Sequence, residues 1–164
     1  MSRSVNGFPT AKELTRLTAH AHQPVGAFAS AVAETAEGLV PHTKVLITQA
    51  IKRAGRERRA DRFSVDGQTY TFMDQFQIRD RSFVRIVASG FRAFKEASPP
   101  ETSDIGSYTK VLSDELSACL LDALREKGIT NATVELEYNQ PPSLHQDREV
   151  TANVTISWPH TEPG

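Results

Sequence analysis

Phe63-Ser64-Val65-Asp66-Gly67-Gln68-Thr69-Tyr70-Thr71-Phe72 is the stretch from which the fold class can be read. Apolar and polar residues alternate on both sides of Asp66-Gly67. That dipeptide favours a two-residue type I′ turn, because both central positions then need positive φ. With Asp66 and Gly67 at the centre, Val65 is expected opposite Gln68, and Phe63 opposite Tyr70. Phe63, Val65, Tyr70 and Phe72 then share one face of a β-hairpin, and Arg62, Ser64, Thr69 and Thr71 share the other.

Beyond the hairpin, residues 73–78 are ambiguous, and Asp80 is placed to cap a helix over residues 81–97. On that helix Phe83, Val87, Phe91 and Phe94 fall within an arc of about 80° at 100° per residue. Arg81, Arg85, Arg92 and Lys95 occupy a similar arc on nearly the opposite side. Ser98-Pro99-Pro100 breaks the chain. A second long helix is expected over residues 104–127, with Tyr108, Leu112, Leu116, Cys119, Leu120 and Ala123 as its buried stripe and Gly128-Ile129 as a Schellman ending. Residues 132–138 and 148–158 then alternate as two strands, each with one apolar and one wet face, which predicts antiparallel pairing. Pro141-Pro142 makes their connection a long loop.

On the N-terminal side, three short helices are predicted. One runs over residues 11–22 behind the capping box Thr10/Glu13. One starts at Pro24 and ends near Gly38, and one runs over residues 43–53 and ends at Gly55. Helices and strands are segregated along the chain, not alternating, so the fold class is α+β: N-terminal helices, a hairpin, two amphipathic helices and a C-terminal antiparallel strand pair. The chain has 164 residues, enough to bury a core without disulfides or a structural metal. The expected organisation is a loose leader (residues 1–9), one α+β domain (10–158, with a sub-boundary at 98–103) and a tail (159–164).

No apolar run approaches the length that spans a bilayer, no secretory leader is read, and a single cysteine suits a reducing compartment. The expectation is therefore a cytoplasmic protein with no membrane partner. The formal net charge of −1 hides an asymmetry: residues 44–96 hold twelve basic and six acidic side chains, whereas residues 97–164 hold four basic and eleven acidic. Such asymmetry speaks to partners and not to fold.

Catalytic chemistry finds little support. His20 and His22 would point about 200° apart on a helix and cannot converge on a metal. Cys119 lies mid-helix on the apolar stripe, where cysteine behaves as a small hydrophobe. No phosphate-binding glycine loop and no nucleophile elbow is present. The carboxylates at Asp74, Asp80, Asp104, Asp114 and Asp122 are scattered, and no cofactor or metal is expected.

What stands out is a basic constellation. Lys52, Arg53, Arg56, Arg58, Arg59 and Arg62 precede the hairpin, and Arg81, Arg85, Arg92 and Lys95 follow it. Arginine's planar fork suits carboxylate or phosphate. Set against this, ion pairs with Glu57, Asp61 and Asp80 would leave an ordinary solvated surface. The chain is expected to be a non-enzymatic protein-binding or assembly module, meeting a protein partner or a second copy through complementary charge. The alternative is a nucleic-acid-binding accessory protein using residues 52–95. A third reading is a small enzyme whose site assembles from dispersed residues, such as His145 with an acidic neighbour.

Overall fold

A computed structural model describes residues 10–12, 14–15, 29–98, 103–139 and 149–159. Its elements are helix α1 (Ala29–Arg56), strands β1 (Phe63–Asp66) and β2 (Thr69–Ile78), helices α2 (Arg81–Ala97) and α3 (Ile105–Leu124), and strands β3 (Asn131–Asn139) and β4 (Glu149–Pro159). The fold is α+β: three helices and one antiparallel four-stranded sheet in the order β1-β2-β4-β3. The hairpin and the C-terminal strand pair belong to this single sheet, joined where β2 runs beside β4 over its whole length from Thr69↔Pro159 to Ile78↔Val150.

The hairpin register differs from the expected one. Phe63 pairs with Phe72, Val65 with Tyr70 and Asp66 with Thr69, so Gly67 and Gln68 are the central turn residues. Gly67 has φ +60° and Gln68 does not have positive φ, the pattern of a type II′ turn. That turn asks for positive φ at glycine alone, whereas type I′ would also force Asp66 into it. The register moves by two residues, an even number, so the expected faces survive. Phe72 is fully buried with its ring 5.3 Å from that of Phe63, Phe63 and Tyr70 are half-buried, and Val65 stays exposed at the tip.

The N-terminal helices also need correction. Residues 24–28 and most of 11–22, with His20 and His22, lie outside the described residues, although Thr10 O accepts from Leu14 N as a first turn requires. From Ala29 onward the predicted second and third helices are one helix of 28 residues with Pro41 inside it. Proline in a helix interior costs about 3 kcal/mol through its missing N–H and its clash with the preceding turn. The helix persists because Val32, Ala36, Leu39, Thr43 and Ile47 form one buried stripe that keeps phase across residue 41, while Pro41 itself faces solvent. Gly38 therefore ends nothing; it sits beneath α2, where a Cβ would lie 3.8 Å from Ile86 Cγ2.

The helix over residues 81–97 forms as its wheel predicts. The Asp80 carboxylate accepts from Ser82 N at its start, and Phe83, Val87, Phe91 and Phe94 are buried. On α3, Tyr108, Leu112, Leu116 and Leu120 are fully buried, Cys119 is half-buried and Ala123 is exposed. The predicted ending is present: Gly128 has φ +88°, Gly128 N donates to Arg125 O, and Ile129 N reaches Leu124 O.

Helix α3 lies along β3, and α1 packs on α3 and α2. One core cluster draws on residues from both sides of the 98–103 break, among them Leu39, Phe83, Phe94, Tyr108, Leu116 and Ile156. Rings bind the layers together: Tyr108 stacks between Phe91 and Phe94 at 5.2 and 5.3 Å, and Phe91 meets Tyr138 of β3 edge-on. The Tyr108 hydroxyl donates to Val87 O at 2.7 Å. Burial, with Tyr138 adding to it, pushes the Tyr108 phenol above its ordinary range, so it stays a neutral donor.

The far edge of the sheet is closed by two serines. Val134 N donates to Ser117 Oγ and Leu136 N to Ser113 Oγ, each at 2.8 Å. These amides point away from β4, and α3 satisfies them through hydroxyls one helical turn apart.

Candidate functional site

The basic constellation does not form one continuous patch. Its first half gathers at the C-terminal end of α1. There Arg53, Arg59 and Arg62 line a cleft of about 390 Å³ against Asp74, Gln75, Phe76 and Gln77 of β2, with Leu46, Gln49 and Ala50 on the helix wall. Arg56 is one turn beyond Arg53, and Lys52 is beside it; both are exposed. Its second half lies on α2, where Arg81, Arg85, Arg92 and Lys95 are exposed as a ridge. Arg85 lines a groove between α1 and α2 with Glu34, Thr35, Ile86 and Ser89, and that groove shares no lining residue with the cleft.

The turn that leaves α1 brings Arg59 and Arg62 to the cleft beside Arg53 of the helix itself. Arg59 N donates to Ala54 O at 2.8 Å and Arg58 N to Gly55 O at 3.2 Å, a Schellman closure. Its left-handed position is filled by Arg58, φ +55°, and not by glycine. A side chain in that conformation costs about 1 kcal/mol or more. Arg58→Gly is therefore expected to raise the thermal unfolding midpoint by roughly 2–4 °C, which differential scanning calorimetry would read; an unchanged or lower midpoint would remove the strain argument. A strained arginine where glycine is easier is a reason to look for function at this turn.

Electrostatics divides the arginines into two groups. Arg59 Nε donates to Asp61 Oδ1 at 3.4 Å and also faces Glu57 at 4.0 Å. Arg62 lies 3.6 Å from Asp61 and 3.3 Å from Asp74. Desolvation works against ionisation of Asp61, but the hydrogen bond and charge of Arg59, with Arg62 behind it, hold its carboxyl below the usual range. Lys52, Arg53, Arg56, Arg58, Arg81, Arg85 and Arg92 have no ion pair among the described residues. Lys95 has none either, and its ammonium sits 5.4 Å from the Phe91 ring centroid. Asp80, expected as an ion-pair partner, caps α2 instead.

Asp74 was the hidden member of the site. Its Oδ1 accepts from Gln75 N at 2.8 Å and faces Arg62, so one carboxylate ties the end of the loop to β2. Nothing in the spacing of residues 73–78 announces this, because the partner arginine is twelve positions earlier. Arg79, outside the basic constellation, pairs with Glu149 at 3.3 Å, which fastens the ends of β2 and β4 and leaves the cleft alone.

Among the described residues the cleft is lined by no histidine, cysteine, serine or threonine. Burial, then the carboxylates of Glu115, Glu37 and Asp122, push the Cys119 thiol above its ordinary range, the wrong direction for a nucleophile. Among the described residues no group of three or more His, Cys, Asp and Glu could hold a metal ion, and no helix is long and apolar enough to cross a membrane. His145 and His160 lie outside the described residues. No family model, curated protein or solved structure matches this chain.

Proposed function

We propose that the chain is a non-enzymatic docking module whose α1–β2 cleft receives an acidic segment of a protein partner. The observation that carries this reading is Arg53, which lines the cleft and makes no ion pair among the described residues although Glu57 and Asp74 line it too, with Arg56 uncovered one turn away. The pairs of Arg59 with Glu57 and Asp61 are exposed and weak, so an incoming carboxylate can compete for Arg59 as well. Arginine's bidentate fork favours carboxylate over a diffuse negative field.

The test is a fluorescence titration with labelled polyglutamate at several salt concentrations. Binding that weakens with salt, and that falls at least about tenfold in Arg53→Glu/Arg56→Glu, is the expected result. Retained affinity in that double variant would contradict the reading.

Nucleic-acid binding is a second reading, favoured by the uncovered guanidinium groups of Arg81, Arg85 and Arg92. It is the weaker one. Phe83, Phe91 and Phe94 of the same helix are buried and offer no stacking platform, and the exposed sheet face presents Glu135 and Glu137. In the same titration a labelled duplex and a single strand should bind far more weakly than polyglutamate. Tight binding lost in Arg81→Ala/Arg85→Ala/Arg92→Ala would reverse the order.

A further inference from the structure

The cleft is bounded on one side by an edge of β2. Val134 and Leu136 turn their N–H groups away from β4, toward Ser117 and Ser113. Alternate β3 residues therefore face β4 opposite Thr151, Asn153 and Thr155, so Ala152, Val154 and Ile156 turn their backbone groups toward β2. Across from these stand Phe76, Asp74 and Phe72. The intervening residues Met73, Gln75 and Gln77 consequently direct N–H and C=O to the opposite side of β2. That edge is covered by β1 only along Thr69 to Phe72, because β1 begins at Phe63.

Past Phe72 the line of β1 leads into the cleft. Gln75 and Gln77 form one wall, and Leu46, Ala50 and Arg53 of α1 form the other. Helix α1 packs on α3 and α2; the short turn Ala60–Arg62 reaches β2, where Arg62 pairs with Asp74, and beyond it Gln75 and Gln77 stay exposed. The Gln75 amide is held locally by Asp74, while the Gln77 amide and the carbonyls of both residues have no partner among the described residues. An uncovered edge of this kind is a template for an added strand. The opposite edge, at β3, is closed by Ser113 and Ser117.

Resting on the acidic-partner reading of this cleft, we propose that the partner segment binds as an extended strand beside Gln75 and Gln77, in line with β1, with its carboxylates against Arg53. Main-chain hydrogen bonds supply register, and alternate side chains enter the cleft toward Phe76, Leu46 and the arginines. A second copy of this chain is a poor occupant: two β2 edges pairing with each other would bring Arg53, Arg59 and Arg62 of both copies together. A nucleic acid has no amide ladder to offer.

Three peptides decide the matter, each labelled with fluorescein and alternating Glu with Val and Thr. One is unmodified. The other two are N-methylated on every second backbone nitrogen, each on a different edge, so all three carry equal charge. The unmodified peptide is expected to bind by anisotropy, and one methylated peptide to lose affinity about tenfold or more, the loss of one or two net hydrogen bonds plus a methyl clash. The other methylated peptide should bind like the parent. Gln77→Pro should weaken the unmodified peptide similarly. It removes an outward amide and no bond to β4, and the peptide arm leaves the protein untouched should that variant misfold. If both methylated peptides bind like the parent while Arg53→Glu abolishes binding, strand addition is wrong and the cationic cleft remains. If no peptide binds, both proposals fall.

Discussion

Gly90→Ala is expected to lower the unfolding midpoint by roughly 5–10 °C, the equivalent of about 2–3 kcal/mol of overpacking in a chain this size. A Cβ at position 90 would come within 2.5 Å of Thr35 Oγ1 and of the Tyr108 hydroxyl oxygen, and 2.7 Å from Thr35 Cγ2. Neither neighbour can step aside freely. Thr35 is buried in α1 with its hydroxyl donated to Ala31 O, and Tyr108 is clamped between two phenylalanine rings with its own hydroxyl on Val87 O. Gly90 is therefore the point at which all three helices meet, and its missing side chain sets how closely α1 approaches α2. Shortening the neighbour should relieve the clash, so Gly90→Ala/Thr35→Ala is expected to recover part of the loss in calorimetry. A fully stable Gly90→Ala would mean that the helices are not so closely packed.

Ser113→Ala/Ser117→Ala is the second large effect. Each serine accepts a β3 amide at 2.8 Å, and alanine leaves that amide without a partner next to a helix that excludes water. An unsatisfied buried donor costs about 1–3 kcal/mol, so the pair should cost roughly 2–5 kcal/mol in urea unfolding. Ser113 also donates to Thr109 O and Ser117 to Val134 O, so both hydroxyls are used in two directions. The double variant should in addition associate at high concentration, because β3 becomes an open edge. A loss below about 0.5 kcal/mol would show that water or a backbone shift serves these amides equally well.

Much of this fold is legible in the residues because local signals agree with the tertiary ones. The phenylalanine seam of α2, the Asp80 cap, the Gly128 ending and the alternation of the last two strands each specify one answer, and each is present. Proline at position 41 is where local and tertiary signals conflict. Read locally it ends a helix, but the buried stripe from Val32 to Ile47 outweighs it. The hairpin shows a subtler limit. Asp66-Gly67 announces a turn but does not say which of two registers β1 and β2 will take, and both keep Phe63 and Phe72 on the same face.

Of the site, charge was legible and geometry was not. The ten basic residues can be counted from the sequence, yet which of them are answered by carboxylates depends on where Asp61 and Asp74 come to lie. The constellation divides because α1 delivers Arg53 to the edge of β2, whereas the Arg81–Lys95 ridge follows α2 along a separate groove. The edge-capping roles of Ser113 and Ser117 carry no sequence signature, since serine in mid-helix more often faces solvent or bonds its own backbone.

The central claim is that an acidic extended segment binds between α1 and β2, and amide chemical-shift mapping with the unmodified peptide tests it most directly. The largest shifts are expected at Arg53, Arg56, Gln75 and Gln77, with the α2 ridge unchanged. Shifts confined to Arg81, Arg85 and Arg92, or none at saturating peptide, would contradict it.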